Sequence, residues 1–350
     1  MPVKGVRCVL GYVLMEDHHK CMVERPGPPC LIPATILQRI TRHDGEREEL
    51  GIEFSPSSLS NCHRKTVLSR DHDVFINVRD MYKPERGSIY HDGLAHDPPW
   101  PGILGTIREL RMSAPISTKY GEQKFWGKAD LIVLRQMDGG TLHIAIEDLK
   151  TKGEVGHERV EADHEHVRQI NEYAWIVQKF LPSWLNKRYG VTHDCQSQVT
   201  FTMEEAESYL HMNLNDNVEL PHIDEVIVDE LTIVYADMSR TRIFTSRGFL
   251  YDSGKMLGEK GEDGRWHRFD PPQHEELELA PIHMFATSFT ESIIRKGIES
   301  RIEAKTLLAP PLTGDAARLQ CRSCPVRGAC IDIGLKEGRD MSEQEVYGAV

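Results

Sequence analysis

The 350-residue chain contains no apolar run long enough to span a bilayer, and its N-terminus lacks the hydrophobic stretch of a signal peptide. Both absences predict a cytoplasmic protein with no membrane contact. In that compartment thiols stay reduced, and clustered cysteines serve metal binding or catalysis rather than disulfides. Positive charge is also scarce: 42 Lys and Arg face 54 Asp and Glu, a net charge of −12. A protein that coats duplex DNA by bulk electrostatics is usually basic, so this balance argues against an architectural DNA binder. It leaves nucleic acid a local groove or a bound cation. No internal repeat and no low-complexity linker interrupts the chain. With 39% hydrophobic and 27% charged residues, it has the composition of a soluble globular protein of one large domain or two ordinary ones.

What is present is concentrated in a few places. Cys321, Cys324 and Cys330 form a C-x2-C-x5-C cluster. Three thiolates so close together can grip one metal centre, but a tetrahedral sulfur site needs a fourth ligand from elsewhere in the chain. Zinc and iron–sulfur both suit such a set. Cys8, Cys21, Cys30 and Cys195 are widely and irregularly spaced and read as ordinary thiols.

The periodicities predict an α/β or α+β fold around a mixed sheet. Residues 1–52 read as an N-terminal extension, with an apolar run at Val9–Met15 and a short helical pattern near Ala34–Ile40. A helix capped by Ser57 or Ser58 is expected next, with Cys62 in its second turn. Phe125–Arg135 and Thr141–Lys150 read as strands joined by a hairpin turn. A long helix is expected from about His157 to Leu181, ended by Pro182, with Ile170, Ala174, Val177 and Leu181 as its apolar stripe. Glu225–Tyr235 and Arg240–Ser246 form a second strand pair, Pro271–Leu279 an acidic loop, and Thr287–Leu308 a final helix. Trp100, Trp126 and Trp175 are assigned to the core, and His157, His164 and His166 to a solvated face.

Strand alternation places Asp148 and Lys150 on one face with Leu142, Ile144 and Ile146. A three-residue loop, Asp138-Gly139-Gly140, would set Asp130 opposite Asp148, whereas a two-residue turn would set it opposite Glu147. The three-residue loop is preferred because it groups Asp130, Asp148 and Lys150. Opposed side chains lie roughly 5 Å apart at Cβ. Two carboxylates at that separation repel unless one is protonated or a cation lies between them, and such oxygen ligands suit Mg²⁺ or Mn²⁺. Metal-activated hydrolysis of a phosphodiester fits the set, with Lys150 orienting water or stabilising phosphate charge. A surface salt bridge between Asp148 and Lys150 is the plain alternative. Glu109 stands as a further acid or a strand ion pair.

Taken in order, Gly87-x-x-x-His91, Gly127-Lys128-Ala129-Asp130, Asp148-Leu149-Lys150 and Gln169-x-x-x-Tyr173, bracketed by Cys62 and the C-terminal cysteines, resemble the iron–sulfur subgroup of RecB-like PD-(D/E)XK nucleases. That subgroup includes CRISPR-associated Cas-four exonucleases, their phage relatives and the nuclease domain of AddB. The resemblance spans roughly residues 53–335. It implies a restriction-endonuclease-like core at 53–350, with insertions near 183–225 and 250–285, closed by a clasp in which Cys62, Cys321, Cys324 and Cys330 hold a [4Fe–4S] cluster. It implies His91, Asp130, Asp148 and the Leu149 carbonyl as Mg²⁺ or Mn²⁺ ligands, Lys150 as the catalytic lysine, and Gln169 and Tyr173 facing the site. The implied activity is exonuclease hydrolysis of single-stranded DNA ends, in phage recombination, repair or CRISPR adaptation, with protein partners from such a complex. A non-catalytic DNA-binding subunit and a zinc-stabilised endonuclease are the alternatives.

Overall fold

Interleaved stretches of the chain gather into two units. One takes Met1–Glu53, Ser58–Ser88 and Gly297–Val350; the other takes Phe54–Ser57 and Ile89–Lys296. The computed structural model describes residues 5–8, 11–14, 54–72, 75–77, 102–151, 161–189, 211–215, 218, 220–236, 241–246, 250–252, 255–260, 262, 266–268, 282–306, 308–321 and 324–346. The expected helix near Ala34–Ile40, the loop Pro271–Leu279, Cys21, Cys30, Cys195, His91, Trp100 and His157 lie outside these residues.

In chain order, β1 (Gly5–Cys8) and β2 (Gly11–Leu14) precede the short helix α1 (Pro56–Leu59), then α2 (His63–Asp71) and β3 (Phe75–Asn77). The middle of the chain runs through β4 (Gly105–Arg108), β5 (Arg111–Thr118), β6 (Gly121–Lys128), β7 (Leu131–Asp138) and β8 (Thr141–Thr151) to the long helix α3 (His164–Arg188). Then come β9 (His211–Leu214), β10 (Glu225–Ala236), β11 (Thr241–Thr245), β12 (Leu250–Asp252), β13 (Lys255–Lys260) and β14 (Trp266–Arg268). Helices α4 (Thr287–Thr306), α5 (Gly314–Cys321), α6 (Arg327–Lys336) and α7 (Ser342–Val346) close the order. No helix among the described residues is long and apolar enough to cross a membrane.

The larger unit is built on a nine-stranded mixed sheet, β14-β13-β12-β11-β10-β8-β7-β4-β9. Only β8 and β10 run parallel, as expected for strands joined by a crossover through α3; the other pairs are antiparallel. Ile132, Leu134, Ile144, Ile146, Leu231 and Ile233 are buried to the last percent, at roughly 1.5–3 kcal/mol each relative to exposure. Helix α3 packs on the sheet through Ile170, Ile176, Val177 and Leu181. Its ends are tied by hydrogen bonds. The Tyr235 hydroxyl accepts the Asp163 N–H at 3.0 Å and meets His166 Nδ1 at 2.7 Å. Asn186 exchanges two bonds with the backbone of Ile223 at 2.7 and 2.9 Å. The region near 250–285 supplies three strands to the edge of this sheet, β12 to β14.

Several sequence expectations change. Pro182 lies inside α3, which continues to Arg188. The proline forfeits one backbone bond, but Trp184 and Leu185 beyond it are buried, and that burial sustains the last turns. Phe125–Arg135 is not one strand. It breaks at Ala129-Asp130, so that β6 pairs with β5 in a separate two-stranded sheet while β7 enters the large one. Cys62 is not in the second turn of a helix: the chain turns at Ser60-Asn61, and Cys62 occupies the N-cap position of α2. His166 is half-buried against Tyr235, unlike the exposed His164.

The smaller unit carries a three-stranded sheet, β2-β1-β3. Its helices α2 and α6 meet around buried Leu68 and Val326, with Leu308, Cys324, Cys330 and Ile333 packed alongside.

Candidate active site

The β7–β8 hairpin turns on Gly139-Gly140, with Asp138 paired to Thr141. Gly139 has φ +59°, which an L side chain rarely adopts and this tight turn requires. The turn is therefore two residues long, not the expected three. A bulge at Arg135 then shifts the register by one, so that Leu134 meets Ile144 and Leu131 meets Glu147. Continued by one residue, that register sets Asp130 opposite Asp148. Glu147 falls on the other face, where Arg108, Arg135 and Glu230 surround it.

Asp148 is 1% exposed, with half-buried Asp130 close enough to act on its charge. Its carboxylate is held by the Lys150 ammonium, with Nζ 3.0 Å from Oδ1 and 2.8 Å from Oδ2. Asp130 accepts the Leu149 N–H at 2.7 Å. Burial pushes Asp148 up to about 7; Lys150 opposes the shift and the neighbouring Asp130 adds to it. Burial also lifts Asp130 to about 6, against the pull of Lys150 and the Leu149 N–H. Two acids placed so are poised to give up protons to a divalent cation near neutral pH.

Helix α3 brings Gln169 and Tyr173 to the same place. Gln169 Nε2 donates to the Tyr173 hydroxyl at 2.8 Å. The phenol is pushed well above its ordinary value by burial and by the charges of Asp148 and Asp130. The helix can approach because Gly127 has no side chain: a Cβ there would lie 2.5 Å from Ile176 and 3.3 Å from Tyr173. Asp130, Asp148, Lys150, Gln169 and Tyr173 thus converge, and the Leu149 backbone joins them through its N–H. His91 lies outside the described residues.

Three further charged side chains stand near this site, and Glu109 makes the ion pair that was one of its two expected roles. Glu109 has φ +59° at the junction of β4 and β5, pairs with Lys128, and adds to the shift of Asp130. Lys128 sits two residues before Asp130. Glu172 is 1% exposed beside Tyr173; burial lifts it to about 8, with Arg168 Nε 3.3 Å away partly offsetting the shift. The i, i+4 spacing of Arg168 and Glu172 is the only sequence signal for that pair.

In the other unit, the four expected cysteines share one neighbourhood. Burial raises Cys321 to about 11, and the charges of Cys324, Cys62 and Cys330 add to it. Cys324 and Cys330 are likewise raised by burial, with Cys62 contributing to both. Gln320 fastens Cys62 in place: its Oε1 accepts the Cys62 N–H at 2.9 Å, and its Nε2 donates to the Ser60 carbonyl at 3.3 Å. Arg64 is fully buried. It reaches Cys330 Sγ at 3.2 Å, the Ala309 carbonyl at 3.0 Å and Glu337 Oε2 at 3.3 Å. Among the described residues, no three His, Cys, Asp or Glu side chains are drawn together closely enough to grip a metal ion. By residue type, carboxylates at the first place and thiols at the second are donors that suit a divalent cation and a metal–sulfur centre.

No protein-family model matches the chain, and no curated protein matches it. Among solved structures, the crystal structure of SSO0001 is similar over 86% of this chain and 96% of that chain, at 14% identity and a TM-score of 0.41.

Proposed function

We propose that the chain is a metal-dependent deoxyribonuclease with a PD-(D/E)XK core, acting as an exonuclease on single-stranded DNA ends. The observation that carries this reading is Asp148, buried and held by Lys150 at 2.8–3.0 Å, with half-buried Asp130 beside it on the Leu149 N–H. Setting one acid beside another that is fully buried is costly without a purpose. A bound Mg²⁺ or Mn²⁺, held by these carboxylates with His91 and the Leu149 carbonyl, would activate water and polarise the phosphoryl group. The chain's own residues do the rest. The Leu149 N–H fixes the orientation of Asp130, and Lys150 supplies positive charge where phosphate oxygens gain negative charge. Tyr173, held by Gln169, presents a hydroxyl that stays protonated at the edge of the pair.

The four cysteines are proposed to hold a [4Fe–4S] cluster with a structural role, supported by their convergence and by the Arg64 donor to Cys330. Iron and sulfide assays on anaerobically purified protein test this against zinc. The nuclease reading is tested with end-labelled single-stranded DNA in Mg²⁺ or Mn²⁺. Cleavage by the wild type, lost in Asp130→Ala and Lys150→Ala, is expected. Binding without turnover in either metal would replace it with a non-catalytic DNA-binding role in a recombination or CRISPR adaptation complex.

A further inference from the structure

The β5–β6 hairpin divides its residues cleanly between two faces. Phe125 and Gly127 point inward, with Phe125 fully buried against Trp175 at 6.2 Å between ring centroids. The alternate residues Lys124, Trp126 and Lys128 share the opposite face, with both lysines exposed and Trp126 half-buried. Lys124 Nζ stands 4.2 Å over the Trp126 ring. Arg111 is paired across from Lys128, and at the hairpin tip Lys119 Nζ lies 5.2 Å over the ring of Tyr120, which is 45% exposed. On a chain of net charge −12, the hairpin thus sets lysines beside two aromatic rings, Trp126 on the strand face and Tyr120 at the tip. Exposed Glu122 shares that strand face, and Lys128 pairs with Glu109, which a phosphate would replace. The row ends at Lys128, whose charge acts on Asp130.

From this row we infer that the outer face of β6 is a track for single-stranded nucleic acid, with Lys124 and Lys128 holding phosphates, Trp126 stacking a base, and the strand delivered toward Asp130. The inference rests on the nuclease reading for its direction and on the hairpin itself for its chemistry. A backbone-tracking cation beside an aromatic platform is what sequence-tolerant single-strand binding requires. Lys124 already occupies the ring face as a cation, so a base can take its place while the ammonium moves to a neighbouring phosphate. The occupant is a nucleic acid rather than an acidic peptide because the rings are interleaved with the cations. An acidic peptide would need only the charges.

The test uses the full chain carrying Asp148→Asn, with binding of fluorescein-labelled oligo(dT) read by anisotropy in Mg²⁺, and wild-type cleavage measured alongside. Trp126→Leu is expected to weaken binding about ten-fold, and Trp126→Phe to restore most of it. Lys124→Gln is expected to reduce the dependence of log affinity on log salt by about 0.7. An abasic strand of equal length is expected to bind weakly and to be indifferent to Trp126→Leu. The Phe and Gln variants keep the fold, which melting temperatures check. If wild type cleaves DNA but Trp126→Leu and Lys124→Gln bind oligo(dT) as tightly as their parent, the track is overturned and the nuclease reading stands. If poly-glutamate competes as well as oligo(dT) and Trp126→Leu has no effect on either, the face binds acidic peptide and the track is overturned. If the Asp148→Asn parent does not bind oligo(dT) and the wild type does not cleave, both fail.

Discussion

Backbone register sets Asp130 opposite Asp148, whereas Cys62 and Cys330 are fastened to distant segments by side chains. In the hairpin, a two-residue turn, a bulge at Arg135 and the Leu149 N–H set the acids against each other, and every element involved is a strand of one sheet or a helix lying on it. At the cysteines, two polar side chains do the work: Gln320 clamps the backbone around Cys62, and buried Arg64 ties Cys330 to the Ala309 carbonyl and to Glu337. Backbone register gives a fixed geometry suited to chemistry. Side-chain clamps join segments far apart in the chain and suit a structural role. The two places also differ in the pH at which they titrate, with the acids at about 6 and 7 and the Cys321 thiol at about 11.

Substitution at the hairpin should give the largest effect. Asp148→Ala or Lys150→Ala should lower DNA cleavage by at least about a hundred-fold, the scale of a positioned catalytic group, with circular dichroism unchanged. Equal losses from hairpin and cysteine substitutions, at equal folded fraction, would erase the distinction between the two places.

The pH dependence sharpens it. Folding raises Glu172 from 4.5 to about 8, so the folded state binds a proton that the unfolded state has lost between those values. Stability should therefore fall as pH rises through this window, by up to about 1.4 kcal/mol per pH unit. Glu172→Gln should flatten that slope in denaturant titrations at pH 5 and pH 8. With the opposite sign, because binding a cation releases protons, Mn²⁺ binding should strengthen as pH rises through about 6–7, where Asp130 and Asp148 ionise; calorimetric titration with proton counting measures it.

Smaller effects belong to the cysteine unit. Arg64→Met should lower the melting temperature, mainly through the lost bonds to the Ala309 carbonyl and Cys330 and only weakly through the solvent-exposed Glu337. Gln320→Ala should cost about 1 kcal/mol, the scale of its two hydrogen bonds to the Ser60–Cys62 backbone, and should leave cleavage by the folded fraction intact.

The same contrast explains what could be read from the sequence. The alternation of Leu142 to Lys150 and the Gly-Gly turn predicted the hairpin, and the predicted opposition of Asp130 and Asp148 agrees with the observed register, though by another route. The expected loop was one residue too long, and the bulge at Arg135 compensates; a bulge leaves no mark in a hydrophobic pattern. The i, i+4 spacing of Gln169 and Tyr173 gave their shared face, while their approach to the acids depends on Gly127. Pro182 misled because burial of Trp184 and Leu185 outweighs one lost backbone bond. Local pattern also failed for Gln320, Arg64 and Glu172, whose roles exist only once distant or buried partners are in place. Trp126 was assigned to the core as an aromatic residue; it is half-buried on the outer face, and period-two alternation alone does not say which face of a hairpin is covered.

The most direct test measures cleavage of end-labelled single-stranded DNA in Mn²⁺ by wild type, Lys150→Ala and Cys324→Ala, each normalised to folded protein. Wild type is expected to cleave, folded Lys150→Ala is not, and Cys324→Ala should lose iron and stability while its folded fraction still cleaves. A wild type without activity, or a Lys150→Ala variant that cleaves as well as wild type, would contradict it.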